Sequence, residues 1–524
     1  MRQPIRMQRR QLLQLAAASA TTLWVPRSAC SQPALQDNPF SLGVASGSPE
    51  DSSVVLWTRL LPAGRSPGDA PVTVRWEIAH DEAFGRIAAS GQAQALPQLA
   101  HSVHVEAGGL EPDRWYHYRF MVGSWVSPVG RTRTLPRPDA DVARLRLGYA
   151  SCQRWEHGYF AAWRHLRQEQ PDLVLFLGDY IYEYPGAPGA VRWPDGLWVT
   201  TLEQYRARHA LYKSDADLQA MHAACPWLVT WDDHEVQNDY AGLNPGSGGP
   251  AVDKPAARRA AAYQAFYEHM PLRASVLTRA LDGLAAGDEL RLYGQRRFGR
   301  LAQLCLLDAR QYRDRQACTR EGRWGSSAIN PAECATWNDP ARTMLGQAQE
   351  QWLQAQLAGG GPGWTVLGQP TLFGRRDSRP GAGELLWNDG WDGYGAARTR
   401  LTQAIAQSRA GNTVVFGGDV HENWVGHVKA DYARPDSADV AVEFCGTSIT
   451  SRTGGQEHVA ARLAENPHFV FGDAQSRGYG LAEFTPRQLT VQLRGLEDPE
   501  RRDSGIRTLA AFAVQAGRAR IERA

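Results

Sequence analysis

Four apolar runs in this chain each end in side chains that can bind a cation. Leu147-Gly148-Tyr149-Ala150-Ser151 leads into Cys152, and Leu173 to Leu177 leads through Gly178 into Asp179, with Tyr182 just beyond. Leu228-Val229-Thr230-Trp231 leads into Asp232-Asp233-His234-Glu235, followed by Asn238 and Asp239. Val414-Val415-Phe416-Gly417-Gly418 leads into Asp419 and His421, whose alternate spacing turns both to one side of an extended segment. A row of acidic and imidazole groups strands charge unless it is solvated or bound to a cation. Each run alone has a bland reading, since a lone cysteine is mostly a small core residue and Gly-Asp after a strand is common. Together, thiolate, phenolate, carboxylate and imidazole at successive strand ends are the donor set of a metal cluster. Ligands in an α/β sheet gather at the carboxyl ends of strands, which is where these residues fall.

The elements that must position them fall into two blocks. Residues 38–136 read as all-β, with strand patterns at Ser53–Trp57, Val72–Ile78 and His101–Val105. Gly109-Leu110-Glu111-Pro112 followed by Trp115–Phe120 has the turn-plus-strand pattern of a fibronectin-III-like sandwich with a tyrosine corner. A Pro- and Arg-rich stretch, 135–142, reads as a linker. Residues 143–515 then alternate short apolar runs with helical stretches such as Ala256–His269 and Gln347–Leu357, the mark of an α/β domain with a buried sheet. Leu481–Leu493 reads as a closing strand pair.

The first residues carry an address. Arg9-Arg10 stand directly before an apolar stretch from Leu12 to Val25, too short to span a bilayer, and residues 1–31 resemble a twin-arginine signal peptide. Cys30 is a poor lipoprotein site because Arg27 stands where an apolar residue is wanted. No later run has the roughly 18 apolar residues of a membrane span, so no stable membrane anchor is expected. The expected location is periplasmic or secreted, with the twin-arginine export machinery as a partner. A net charge of +2 and the lack of a basic stripe argue against a nuclease or other nucleic-acid binder. In an oxidising compartment Cys318 and Cys334 are the best disulfide candidates, whereas Cys225, Cys305 and Cys445 sit in apolar runs as buried thiols.

The motifs Ala150-Ser151-Cys152-Gln153, Gly178–Tyr184, Trp231–Glu235 with Asn238, Leu307–Arg313, Trp391–Tyr394 and Gly418–His421 resemble those of the PhoD-type alkaline phosphatase family. That family belongs to the calcineurin-like metallophosphoesterases and is related to purple acid phosphatases. The likeness extends over nearly the whole chain, with Ala309 where threonine is more familiar. The resemblance implies an α/β metallophosphoesterase sandwich, central β-sheets flanked by helices, behind the small all-β domain. It also implies a ferric iron with calcium ions. Matched residue by residue, Cys152, Asp179, Tyr182 and His421 hold the iron, and Asp179 bridges to calcium beside Asp233, Asn238 and Asp419. A metal-activated hydroxide would attack the phosphoester, and His234 would protonate the leaving oxygen. Arg154, Arg206 and Arg310 are the candidates to hold substrate phosphate, against the competing reading of structural ion pairs.

The expected function is thus an exported phosphoesterase acting on monoesters, diesters or both. A dedicated phosphodiesterase of phospholipase D-like or wall-polymer type is the near alternative. An inactive exported binding module is the distant one, at odds with four complete clusters. His209, His222 and His427 read as satisfied or exposed histidines, and Trp387, Trp391 and Tyr394 as either entrance walls or core.

Overall fold

A computed structural model describes residues 35–524 except 195, 251–252, 278–289, 321, 362, 409–411 and 435. The leader at 1–31 and Cys30 lie outside the described residues.

The strands Leu145–Ala150, Leu173–Leu177 and Trp227–Thr230 lie side by side and parallel, with Leu175 opposite Tyr149 on one neighbour and Leu228 on the other. They form the middle of a ten-stranded sheet. All but Arg146 among their residues are buried, as a parallel sheet covered on both faces requires. A second sheet of seven strands holds Trp364–Gly368, Thr413–Gly417 and Asp439–Cys445, again parallel neighbours. The inner faces of the two sheets share one core through Leu147, Leu175, Leu304, Val366 and Phe444. Within it the rings of Tyr149 and Phe416 approach to 4.4 Å.

Helices close the outer faces. Ala161–Gln168, Leu202–Lys213, Ala216–His222 and Pro255–His269 cover the ten-stranded sheet through Leu166, Tyr205, Leu218 and Phe266. Gln347–Ala358 and Gly395–Ala406 cover the seven-stranded sheet through Leu353, Leu357 and Leu401. The two sheets therefore bring the ends of Leu145–Ala150, Leu173–Leu177, Trp227–Thr230 and Thr413–Gly417 toward one region. The closing pair runs Gly478–Phe484 and Gln488–Leu496, antiparallel, and a further strand, Ile506–Gln515, extends it.

The all-β block is mostly a sandwich of its own, packed around Val54, Leu56, Val74, Tyr118 and Phe120. One sheet pairs Val72–Ala79 with Ile87–Ala95 and Trp115–Val122. Tyr116 Oη accepts the Glu111 N–H at 2.9 Å, pinning the corner before its strand. The other sheet does not stop at the linker. Val44–Gly47, Ser53–Arg59 and Ser102–Gly108 are the last three strands of the ten-stranded sheet, joined where Gly47 pairs in parallel with Trp227. Periodicity marks each strand but says nothing about which distant strand it will pair with, so this continuity is not legible in the sequence.

Cys318 and Cys334 form a disulfide, and Cys152, Cys225, Cys305 and Cys445 are free and buried. Among the described residues no helix is long and apolar enough to cross a membrane.

Candidate metal centre

The strand ends turn sharply, and the turns store strain. Cys152, Asp179, Asp419 and His421 have φ of 60°, 57°, 67° and 57°. Non-glycine residues avoid this left-handed region unless their surroundings enforce it, and such strain collects at functional sites. The enforcement is visible. Cys152 N–H donates to the Gly178 carbonyl and Gln153 N–H to the Asp179 carbonyl, each at 3.1 Å. Glu235 accepts the N–H groups of Asp179 at 3.1 Å, Tyr180 at 2.6 Å and Asp232 at 2.8 Å, tying two strand ends together. Gly178, at φ +101°, lies where a Cβ would come within 2.5 Å of the Asp232 Cβ.

These turns aim the side chains inward at one another. Cys152 Sγ, an Asp179 oxygen and a His421 nitrogen lie within 4.8 Å of one another. Tyr182 Oη donates to Asp179 Oδ2 at 2.9 Å, stands 3.1 Å from His421 Nε2 and accepts from Ser451 Oγ at 2.7 Å. His421 Nδ1 lies 3.0 Å from the Arg452 carbonyl, which only accepts, so Nδ1 carries the hydrogen and Nε2 is free to ligate. Three further groups meet the same distance: Asp179, Asp233 and His234; Asp232, Asp233 and Asp419; and Asp233, Asp239 and Asp389. Shared Asp179 and Asp233 make these one contiguous centre. Asn238 Nδ2 donates to Ser247 Oγ at 2.7 Å, which leaves Oδ1, the acceptor atom of its amide, outside that bond.

Cations fit this donor set. Asp233 Oδ1 and Asp232 Oδ2 are buried with no hydrogen-bond partner among the described residues, an arrangement that costs several kcal/mol without a counter-charge. Without cations, burial pushes the Asp179 carboxyl well above the carboxylate range and lifts Asp419 to about 7. Burial, seconded by Asp179, also raises the Cys152 thiol, while it lowers His421 to about 3 and keeps that imidazole neutral. A nearby cation reverses the first set of effects and favours the neutral imidazole.

His234 stands beside the centre. Its Nδ1 contacts Glu183 Oε2 at 2.7 Å, and Glu183 Oε1 accepts the Asn238 N–H at 2.8 Å. Burial works against the imidazolium, but Glu183, Asp233 and Asp179 outweigh it and raise the His234 pKa well above its usual value. The Tyr182 ring lies 4.1 Å from the imidazole and fixes its plane.

The three arginines separate. Arg206 is not at the centre: its guanidinium is held by both oxygens of Glu268, at 2.6 and 2.7 Å, and by the Gln98 carbonyl. Arg310 is at the centre but beneath it, fully buried, paired with Asp232, with Asp389 at 2.7 Å and with Asp233 at 3.7 Å. Its donors face the protein's own carboxylates, so it orders the ligands instead of holding substrate. Arg154 lies over the rings of Tyr182 and Tyr184, at 5.5 and 4.7 Å, with a side chain 19% exposed. Its Nε also lies 3.7 Å from Glu156 Oε1.

Trp391 and Tyr394 are core, bonded to Gln369 Oε1 and the Asp314 carbonyl, whereas Trp387 is half exposed. His209 and His222 are buried away from the ligand groups. Sequence reasoning passed over Asp389, Glu183 and Glu235 as functional residues. Asp389 follows only the two-residue strand Leu386–Trp387, too short to register as an apolar run in the sequence. Glu183 and Glu235 lie inside the motifs Gly178–Tyr184 and Trp231–Glu235, but residue type alone does not show that they hold an imidazole and backbone N–H groups.

The PhoD-like phosphatase family model matches residues 147–493, and its N-terminal domain model matches residues 26–136. The chain belongs to the PhoD-like phosphatase family. This PhoD-like phosphatase is 44% identical over 494 residues to alkaline phosphatase D of Bacillus subtilis (strain 168), covering 92% of this chain and 82% of that protein. The solved structure of PhoD superposes with a TM-score of 0.87 at 43% identity, covering 94% of this chain and 93% of that one. Like its family, the chain is a phosphoester hydrolase.

Proposed function

We propose that this PhoD-like phosphatase is an exported alkaline phosphatase, hydrolysing monoesters, diesters or both, with ferric iron held by Cys152, Asp179, Tyr182 and His421. Calcium would be held by Asp179, Asp233, Asn238 and Asp419. The observation that carries this reading is the convergence of Cys152, Asp179 and His421 within 4.8 Å, with Tyr182 bonded to Asp179. Thiolate, phenolate and imidazole suit iron, while carboxylate and amide oxygens suit calcium. The layered sheets and helices support a calcineurin-like sandwich, and the Tyr116 corner supports a fibronectin-III-like first domain. The twin-arginine leader at 1–31 supports export to the periplasm or beyond.

When bound, the ions supply Lewis acidity toward the phosphoryl oxygens and a lowered pKa for water. The chain's own residues do the rest. Glu183 holds His234 through Nδ1, which leaves Nε2 as the atom that gives a proton to the leaving oxygen. Glu235 and Arg310 keep the ligand turns and carboxylates in register. Arg154, above Tyr182 and Tyr184, is placed to receive the phosphate.

Elemental analysis joined to a visible spectrum tests the assignment. Ferric iron on a phenolate or thiolate gives a charge-transfer band that shifts or disappears in Tyr182→Phe and Cys152→Ala. Stoichiometric zinc without colour overturns the iron–calcium assignment.

A further inference from the structure

Beside Asp419, on the protein surface, lies a groove of about 260 Å³ that the reaction described above does not use. Its walls include Arg376, Arg462, Trp387, Ser378 and Val420, and it opens directly onto the Asp419 ligand position. Its lining includes Asp419 but, among the described residues, not Cys152, Tyr182 or His234. A volume below the roughly 300 Å³ of a drug-sized pocket suits one substituent of a substrate and not a second molecule.

Apart from the Asp419 ligand position, the two guanidiniums of this groove share one carboxylate. Arg376 Nη1 lies 2.9 Å from Glu422 Oε2, and Arg462 Nη1 lies 3.4 Å from Glu422 Oε1. One carboxylate, only 5% exposed, therefore serves two guanidiniums whose side chains are 14% and 27% exposed. Glu422 Oε2 also accepts the Trp424 indole N–H at 2.8 Å, so its capacity is further divided. Arg462 makes no guanidinium hydrogen bond other than the long ones to Glu422 among the described residues, at 3.4 and 3.5 Å. An arginine fork with unused donors, facing a half-exposed indole at the mouth of a phosphoesterase centre, is built for an anion.

We infer that Arg376 and Arg462 form a second anion-binding subsite, which receives a negatively charged group on the ester substituent that stays with the phosphorus. This rests on the metal-centre reading, because that reading places the scissile phosphate beside Asp419 and the leaving oxygen beside His234. The group recognised is a carboxylate or a phosphate, and Trp387 covers the organic segment that joins it to the scissile phosphate.

The test uses three phosphodiesters with 4-nitrophenol as the common leaving group. The retained substituent is phenyl, 3-carboxyphenyl or 3-phosphonophenyl, and the quantity read is kcat/KM for each charged ester relative to the phenyl ester. The wild-type enzyme is expected to favour at least one charged ester by about tenfold, the worth of a single charge-assisted contact of ~1.4 kcal/mol. Whichever charged ester gains more identifies the anion. Arg462→Gln should bring that ratio close to one, and Glu422→Gln, which releases both guanidiniums, should raise it. Metal content and thermal melts report whether each variant is folded, and Glu422→Gln decides if Arg462→Gln is not. A wild-type ratio near one, or a ratio that neither folded variant changes, overturns the subsite. Turnover of none of the three diesters while 4-nitrophenyl phosphate is hydrolysed would overturn the subsite, and failure on that monoester as well would overturn the metal-centre reading itself, which is a separate result.

Discussion

His234 and Arg310 are the two residues whose roles separate most cleanly. His234 is held by Glu183 at 2.7 Å and needs to act only when the departing oxygen is basic. His234→Gln should therefore cut kcat by roughly 10²–10⁴ on alkyl esters and by much less on 4-nitrophenyl esters. A plot of rate against leaving-group pKa checks it, and an equal loss on both ester types contradicts the proton-donor role. Arg310 neutralises part of a buried acidic cluster, so its removal leaves Asp232 and Asp389 facing each other's charge. Arg310→Gln should destabilise the protein by ~3–5 kcal/mol, the usual result of breaking a buried pair, and should lower metal content per chain. Denaturant midpoints with elemental analysis read both effects. At this scale the sequence was informative about residue type and less so about direction. Arginine near a phosphate site suggests a substrate contact, yet only packing decides whether the guanidinium faces solvent or the protein's own carboxylates. Glu183 and Glu235 escaped notice for the same reason, since their work is done on backbone N–H groups and an imidazole.

The turn after each strand is the element that makes the centre. Gly418→Ala would place a Cβ within 2.3 Å of Ser151 Oγ and 2.8 Å of its Cβ, pressing two ligand-bearing turns apart. The expected outcome is a cost of about 1–3 kcal/mol, typical of overpacking. Iron should be lost more readily than secondary structure, as dialysis followed by circular dichroism and metal assay would show. The segment before Asp389 packs through Leu386 against Ile329 and Cys334, beside a different device, the Cys318–Cys334 bond, whose partners are 16 residues apart. Replacing both cysteines with serine should lower stability by ~3 kcal/mol through the freed loop. Thermal melts of the double variant against the parent, with and without reductant, check this, because reductant should affect only the parent. Strands, main helices and the disulfide were readable because apolar periodicity and cysteine spacing are local signals. The Asp389 position was not, because a loop carries no period.

The molecule as a whole responds to acid through histidines that the fold keeps neutral. His104 is buried between the sandwich and the helix Pro255–His269, its Nε2 donating to the Tyr267 and Met270 carbonyls at 2.9 and 3.0 Å. Burial outweighs these bonds and lowers its pKa from the usual 6.5 to about 4. The unfolded chain thus takes up a proton that the folded chain refuses, so this contribution is intact above pH 6.5 and is lost as pH falls toward 4. His104→Gln should flatten the decline of unfolding free energy over that window by up to ~3 kcal/mol, measured by urea titration at pH 7 and pH 4. The joint at Gly47 and Trp227 has a separate consequence. Cutting away the first block would not release a self-sufficient catalytic unit. It would bare the backbone of Trp227, where Gly47 now pairs and whose carbonyl accepts the Ser48 N–H, leaving an open strand rim that invites association with other chains. The small domain at the front of this phosphatase is thus a selvedge, a finished border on that side of the catalytic sheet.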